Sequence, residues 1–200
     1  VTTEIRLASD GLDRERTLGV TGSAGKSSTS SMIALVLAGD GRTARLGGNS
    51  GGSLLGSPGE PGEWTVLELS SAMLWWLSEG AAMAGLPAWA PRVSVLTNLA
   101  PNHVDWHGTF ADYVRSKAGI RAGQRPGDAF VSLFAEEQPT DAAEVARLAG
   151  GAWWERAALP AAAELEALLA SIDMPEVPGE HQRRNARLAV LACEAAIRTE

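Results

Sequence analysis

The stretch "TLGVTGSAGKSSTSSMIALVLA", Thr17 to Ala38, decides the fold. An apolar run breaks into glycines, meets one lysine and a cluster of hydroxyls, and becomes apolar again. This predicts a strand over Thr17 to Thr21, a loop through Gly22, Ser23, Ala24, Gly25, Lys26, Ser27 and Ser28, and a helix from Gly25 to about Ala38. Glycines permit positive φ, so successive backbone N–H groups can converge on one anion. The helix N-terminus adds unsatisfied donors and the positive end of a dipole. A turn of this kind wraps a polyphosphate, with Lys26 reaching the β and γ phosphates and the Ser27 hydroxyl on Mg²⁺. The strict G-x-x-x-x-G-K-S pattern is not met, because Val20 stands five positions before Gly25; what stands is G-x-x-G-K-S after Val20 and Thr21.

Outward from this unit, β-rich runs alternate with helical patterns. Strands are expected in "TARLGG" from Thr43, "WTVLELSS" from Trp64, "RVSVLTNL" from Arg92 and "DAFVSLF" from Asp128. Helices are expected near Thr109 to Gly123, Asp141 to Ala149, Pro160 to Ala170 and Gln182 to Arg198, with "GAWWER" as an edge strand. Several strands are apolar nearly throughout, as parallel strands covered on both faces are. The reading is an α/β domain: an open, mainly parallel sheet flanked by helices. Residues 1–16 are expected as a lead-in and 17–200 as a single domain, with "GSPGEPGE" at 56–63 a surface loop. The chain starts at Val1, which raises the expectation of a piece of a longer protein.

A net charge of −7 and a pI near 5.0 argue against nucleic-acid or membrane partners. The cluster of Arg183, Arg184 and Arg187 reads as a solvated helix face. No segment approaches the roughly 20 apolar residues of a membrane span, no signal-peptide pattern opens the chain, and the lone Cys193 excludes an internal disulfide. A cytoplasmic location is expected. Of the 17 basic residues, only Lys26 and Lys117 are lysines. In so arginine-rich a chain, a lysine stands out as a position where a primary amine is wanted, as a compact charge or as a neutral nucleophile.

Two further segments carry chemistry. "TVLELSS" places Glu68 among apolar residues near the end of a strand, where a carboxylate must face a cation or an open crevice. It is the natural Mg²⁺ partner, the acid that follows a phosphate loop, with a salt-bridged strand residue as the plainer alternative. "VLTNLAPNHVDWHGTFADYVRSKAGI", Val95 to Ile120, ends a strand in Asn98 and delivers His103, Asp105 and His107 on a loop. Lys117 follows on the next helix. His103 and His107 have zinc-ligand spacing, but Pro101 and Gly108 interrupt a regular helix and no third soft ligand is near, so zinc is set aside.

The segments "VTGSAGKSST", "GGNSG" (Gly47 to Gly51), "LELSS", "TNLAPNHVDWHGTFADYVRSK" and "PGEHQRRNARLAVLA" resemble, in order and approximate spacing, the central ATP-binding domain of the Mur ligase family. The resemblance spans about Thr17 to Ala196, and "LELSS" and "GGNSG" are most similar to the branch that adds D-glutamate. It implies ATP-dependent amide-bond formation in peptidoglycan synthesis through an acyl phosphate, on small-molecule substrates: a UDP-sugar-linked peptide precursor and an amino acid. It implies that Gly22 to Ser28 bind the ATP phosphates, that Ser27 and Glu68 hold one Mg²⁺ and that His103 holds a second. Lys117 matches the lysine that relatives carbamylate with CO₂ in support of that second metal. Asn49 and Ser70 match substrate-facing positions, and His181 and Asn185 the segment that contacts adenine. Lys26, His103 and Lys117 are the expected catalytic set. The family's N-terminal UDP-binding and C-terminal domains are expected to lie outside this chain. Ala24 stands where an asparagine is common, Asn102 where an aspartate is usual, and Gln182 in place of the first asparagine of the adenine segment. The competing readings are a sister ligase, another Mur ligase or a folylpolyglutamate synthase, and a non-catalytic nucleotide-binding module.

Overall fold

The computed structural model describes residues 3–56, 59–149 and 179–198. The apolar runs form five strands: β1 (Thr17–Thr21), β2 (Ala44–Gly48), β3 (Trp64–Glu68), β4 (Val93–Leu96) and β5 (Ala129–Ser132). All pair in parallel in the order β2-β3-β1-β4-β5. Every residue of β1, β3, β4 and β5 is buried, whereas β2, at the edge, is mostly half-exposed. The continuous apolar character of the inner strands thus follows from cover on both faces. The expected open parallel α/β sheet is borne out.

In chain order the described helices are α1 (Glu4–Asp10), α2 (Lys26–Gly39), α3 (Ser71–Leu77), α4 (Glu79–Met83), α5 (Val104–His107), α6 (Phe110–Ala118), α7 (Phe134–Glu137), α8 (Pro139–Ala149) and α9 (Glu180–Ile197). On one face of the sheet, Ile33 and Leu37 of α2 and Leu188, Leu191 and Ala192 of α9 pack on Leu18, Val20, Val66, Val95 and Val131. On the other, Ile5, Leu74, Leu77, Tyr113, Val114 and Val145, from α1, α3, α6 and α8, pack around Leu67, Leu96 and Phe130. Register sets Val20 opposite both Glu68 and Val95. The carboxyl ends of the three central strands therefore lie side by side, and the loops leaving them meet over one edge. This is where open α/β sheets bind ligands.

Several expectations shift. Residues 4–16 are no loose lead-in. Ile5 and Ala8 enter the second core cluster, and the buried Arg6 donates to the Pro87 carbonyl at 2.7 Å. Arg14 is ion-paired with the buried Asp128 just ahead of β5. The strand expected through Ser71 stops at Glu68, because the Ser70 hydroxyl accepts from Met73 N–H at 3.2 Å and caps α3. The apolar run that follows, Ala72 to Leu77, forms a helix. The helix expected to run to Gly123 ends at Ala118 and tightens into a 3₁₀ turn over Gly119–Arg121. α9 starts at Glu180, two residues early. "GAWWER" and the Pro160 to Ala170 helix lie outside the described residues.

Candidate functional site

The loop between β1 and α2 turns on two glycines. Gly25, at φ +80°, begins α2 from the left-handed region, and a Cβ there would lie 2.5 Å from Asn185 Oδ1. Gly22 has φ +151°, and a Cβ there would fall on the Thr97 hydroxyl. Both positions exclude a side chain on space alone. The loop is stitched to the segment after β4. Ser23 N–H donates to Asn98 O at 3.0 Å, Ala24 N–H to Asn98 Oδ1 at 3.0 Å, and Ala24 O accepts from Thr97 Oγ1 at 2.6 Å and Asn98 Nδ2 at 3.1 Å. The amides that open α2, those of Lys26, Ser27 and Ser28, have no acceptor within the helix.

Lys26 and Lys117 stand 91 residues apart in sequence and meet at one atom. Lys26 Nζ donates to Gly22 O at 3.1 Å and Lys117 Nζ to the same oxygen at 3.0 Å. Lys117 is 2% exposed, and its amine also lies 4.7 Å from the centre of the Tyr113 ring. Burial first, and then the neighbouring Lys26 charge, lower its pKa from 10.5 to about 7. Near neutrality about half of these amines are uncharged and nucleophilic.

On the other side of the loop, Glu68 ends β3, 2% exposed. Its Oε1 accepts from Asn49 Nδ2 at 2.9 Å and its Oε2 from Ser50 Oγ at 2.6 Å. Burial raises its pKa, but hydrogen bonds from Ser50, Ser27 and Asn49, with the Lys26 charge, outweigh that and hold the carboxyl below its ordinary value. The group is therefore an anion near neutral pH. Ser27 and Glu68 offer hard oxygens side by side, a donor set suited to Mg²⁺. Among the described residues, no group of three or more His, Cys, Asp and Glu side chains gathers as a metal cluster.

A cavity of about 420 Å³ joins these parts; Lys26, Asn49, Ser70, Ser71, His103 and His107 line it. His103 is exposed and holds φ +51°, a left-handed turn at a non-glycine residue; its N–H donates to Asn102 Oδ1 at 2.9 Å. His107 Nε2 lies 2.8 Å from Ser71 Oγ, and its Nδ1 3.4 Å from Ser116 Oγ. Burial, then Lys117 and His103, lower its pKa from 6.5 against the pull of Asp112 and Asp105. The structure thus gathers Lys26, Asn49, Ser70 and His103 at one cavity. Glu68 is reached through Asn49, and Lys117 through Gly22. Asn185 is buried against Gly25, with its Nδ2 donating to Gln182 Oε1 at 3.0 Å, whereas His181 is exposed one turn earlier on α9.

The profile of the Mur ligase middle domain matches residues 20–150. The chain belongs to this family. A UDP-N-acetylmuramoylalanine--D-glutamate ligase from Streptococcus pyogenes is 34% identical to this Mur ligase domain over 187 residues, covering 88% of this chain and 38% of the relative. The chain thus spans about two fifths of the length of that curated relative. Among solved structures, MurF from Acinetobacter baumannii superposes with a TM-score of 0.56 at 15% identity, over 98% of this chain and 48% of the other. An FPGS-AMPPCP complex gives 0.55 at 16%, over 98% and 63%. These likenesses are of fold.

Within the Mur ligase domain the unusual residues have visible roles. Ala24 is exposed, and the loop is held through its backbone, so the side chain at 24 is not what fixes it. Asn102 accepts from His103 N–H, and Gln182 accepts from Asn185. Sequence reasoning missed the part of Ser50 in holding Glu68 and of Tyr113 beside Lys117. The signal for Tyr113 was its spacing, four before Lys117 on one helix face; for Ser50 no local signal exists.

Proposed function

We propose that this chain is the nucleotide-binding middle part of an ATP-dependent, cytoplasmic ligase that joins D-glutamate to UDP-N-acetylmuramoyl-L-alanine in peptidoglycan synthesis. The observation that carries the reading is the meeting of two lysine amines on the Gly22 carbonyl. Beside them lie a buried, ionised Glu68 and a cavity edged by Asn49, Ser70 and His103. The 34% identity to a D-glutamate ligase supports the choice of amino acid.

The chemistry follows from charge. A substrate carboxylate oxygen attacks the γ-phosphorus of ATP, the bond to the β–γ bridging oxygen breaks, and ADP leaves an acyl phosphate. The neutral amine nitrogen of D-glutamate then adds to the carbonyl carbon, the C=O electron pair moves to oxygen, and the tetrahedral adduct re-forms the carbonyl as it expels phosphate, which leaves with the proton lost by nitrogen. Both steps crowd negative charge at the phosphate loop. Lys26 and the first-turn amides of α2 are fixed donors at the place where that charge develops. His181 and Asn185 are assigned to the adenine side, and Asn49 and Ser70 to the acyl acceptor.

Ser27 and Glu68 would hold one Mg²⁺, and His103 with Lys117 a second; bound there, the ions screen the phosphates and polarise the phosphorus under attack. Lys117 suits that role as a carbamate. Its neutral amine attacks CO₂, an N–C bond forms, one C=O electron pair moves to oxygen, and a proton leaves to water. A second cation beside Lys26 thereby becomes an anion, and repulsion across Gly22 O becomes attraction.

The test uses the full-length parent protein. Phosphate release is followed with UDP-N-acetylmuramoyl-L-alanine and a panel of amino acids, and with folate substrates plus glutamate. Strict dependence on D-glutamate is expected, and turnover with another amino acid or acceptor overturns the assignment. Lys117→Ala is expected to abolish turnover, and unchanged activity would remove the catalytic reading.

A further inference from the structure

We infer that Asn98 is a positioning residue of the nucleotide site: its carboxamide clamps Ala24 and thereby decides which amides of the phosphate loop face an anion. The inference rests on the nucleotide reading above. In a glycine-rich loop every N–H is a potential phosphate donor. Here two of them are turned away. Ser23 N–H is spent on Asn98 O and Ala24 N–H on Asn98 Oδ1, each at 3.0 Å.

The same carboxamide closes the other side of the residue, since Asn98 Nδ2 donates to Ala24 O at 3.1 Å and Thr97 Oγ1 adds a second bond at 2.6 Å. The Ser23 side chain is committed as well. Its hydroxyl donates to Ala100 O and accepts from Ala100 N–H, both at 2.9 Å, and lies 2.9 Å from the Tyr113 hydroxyl. Ser23 and Ala24 therefore face the segment after β4, and beyond them the donors that remain for a phosphate start at Gly25.

Asparagine suits the position for a chemical reason. A carboxamide carries a donor and an acceptor side by side. Aspartate can only accept, leucine does neither, and glutamine is one methylene longer. Ala24 brings no polar side chain of its own, so the loop's conformation depends on what grips its backbone. The gripping segment leads on to His103, five residues beyond Asn98, so the clamp also ties the loop to the far wall of the reaction cavity.

Calorimetric binding of Mg-ADP to the full-length parent tests this with wild type, Asn98→Leu, Asn98→Asp and Thr97→Val. The expected result is a Kd about tenfold higher for Asn98→Leu, the weight of one or two net hydrogen bonds. Asn98→Asp, which keeps the acceptor but adds a negative charge beside the phosphates, is expected to be at least as weak, and Thr97→Val weaker than wild type by a smaller factor. In Asn98→Leu the KM for ATP should rise while the KM values of the other two substrates and kcat at saturating ATP stay within about threefold. Amide exchange at residues 22–25 should quicken while β1 and β3 stay protected. An unchanged Kd in Asn98→Leu overturns the inference. So does a uniform worsening of all three KM values together with the melting temperature, which would make Asn98 part of the scaffold only. If wild type itself fails to bind Mg-ADP, the nucleotide reading falls; if wild type binds and Asn98→Leu matches it, only the clamp falls.

Discussion

Replacing Lys117 by methionine tests the physics of the site without any substrate. The buried amine has a pKa near 7 in the folded protein against 10.5 when exposed. Each unit is worth about 1.4 kcal/mol, so at pH 7 carrying this lysine into the core costs about 4 kcal/mol relative to an uncharged side chain. The sign follows from proton counting. Between pH 7 and 10.5 the unfolded chain holds a proton that the folded protein has released, so stability rises with pH through that window. Below pH 7 both states are protonated, and the penalty is flat at its largest. From pH 7 to pH 9 wild type should gain about 2 kcal/mol that Lys117→Met does not. Urea unfolding of this chain and its Lys117→Met variant, in CO₂-free buffer at pH 6, 7, 8 and 9, measures the difference; groups remote from Lys117 cancel in it, and the neighbouring His107, whose pKa Lys117 lowers, bears only on the acid end of the range. The variant should be the more stable protein at pH 7, with the gap closing as pH rises. Two stability curves that run parallel, to within about 0.5 kcal/mol, would refute the buried, neutral-leaning amine; with it would go the argument that Lys117 is ready to react with CO₂.

Other outcomes are equally specific. Gly25→Ala forces a left-handed backbone on alanine and a Cβ to within 2.5 Å of Asn185 Oδ1; a loss of about 2 kcal/mol in urea unfolding is expected, with weakened ADP binding. Asp128→Ala removes the buried carboxylate shared by Arg14, Arg92 and the Arg125 amide. It should cost about 3 kcal/mol, read by the same unfolding assay, because the Arg14 and Arg92 guanidinium groups lose their buried carboxylate and keep only the exposed Glu15 as a counter-charge. Cys193 is 2% exposed with its thiol pushed up to about 12. It should resist Ellman's reagent at pH 8 in the folded protein and react fully in urea, and rapid reaction of the native protein would place it outside the core.

Much of the fold was legible because strand and helix carry different apolar periods. The runs at Thr17, Trp64 and Arg92 are too continuous for a half-exposed strand, and each became a buried parallel strand. Where the reading slipped, capping decided. "LELSSAMLWWL" is apolar enough to continue a strand, but the Ser70 hydroxyl satisfies Met73 N–H and starts a helix. The residues before Thr17 looked like a lead-in because a seven-residue amphipathic helix has little pattern of its own; its place depends on the surface formed by α3.

The sequence by itself determined the local chemistry: a strand, a glycine turn, a lysine and a helix in one unbroken stretch, whose φ values and donors follow from residue type. Only the tertiary structure decided that Lys117 ends on the same carbonyl as Lys26, that Ser50 grips Glu68, and that Asn98 takes up two amides of the loop. The reason is distance along the chain. A strand order of β2-β3-β1-β4-β5 brings the ends of β3 and β4 to either side of β1, and hydrogen bonds between loops far apart in sequence leave no period, cap or spacing to be read beforehand.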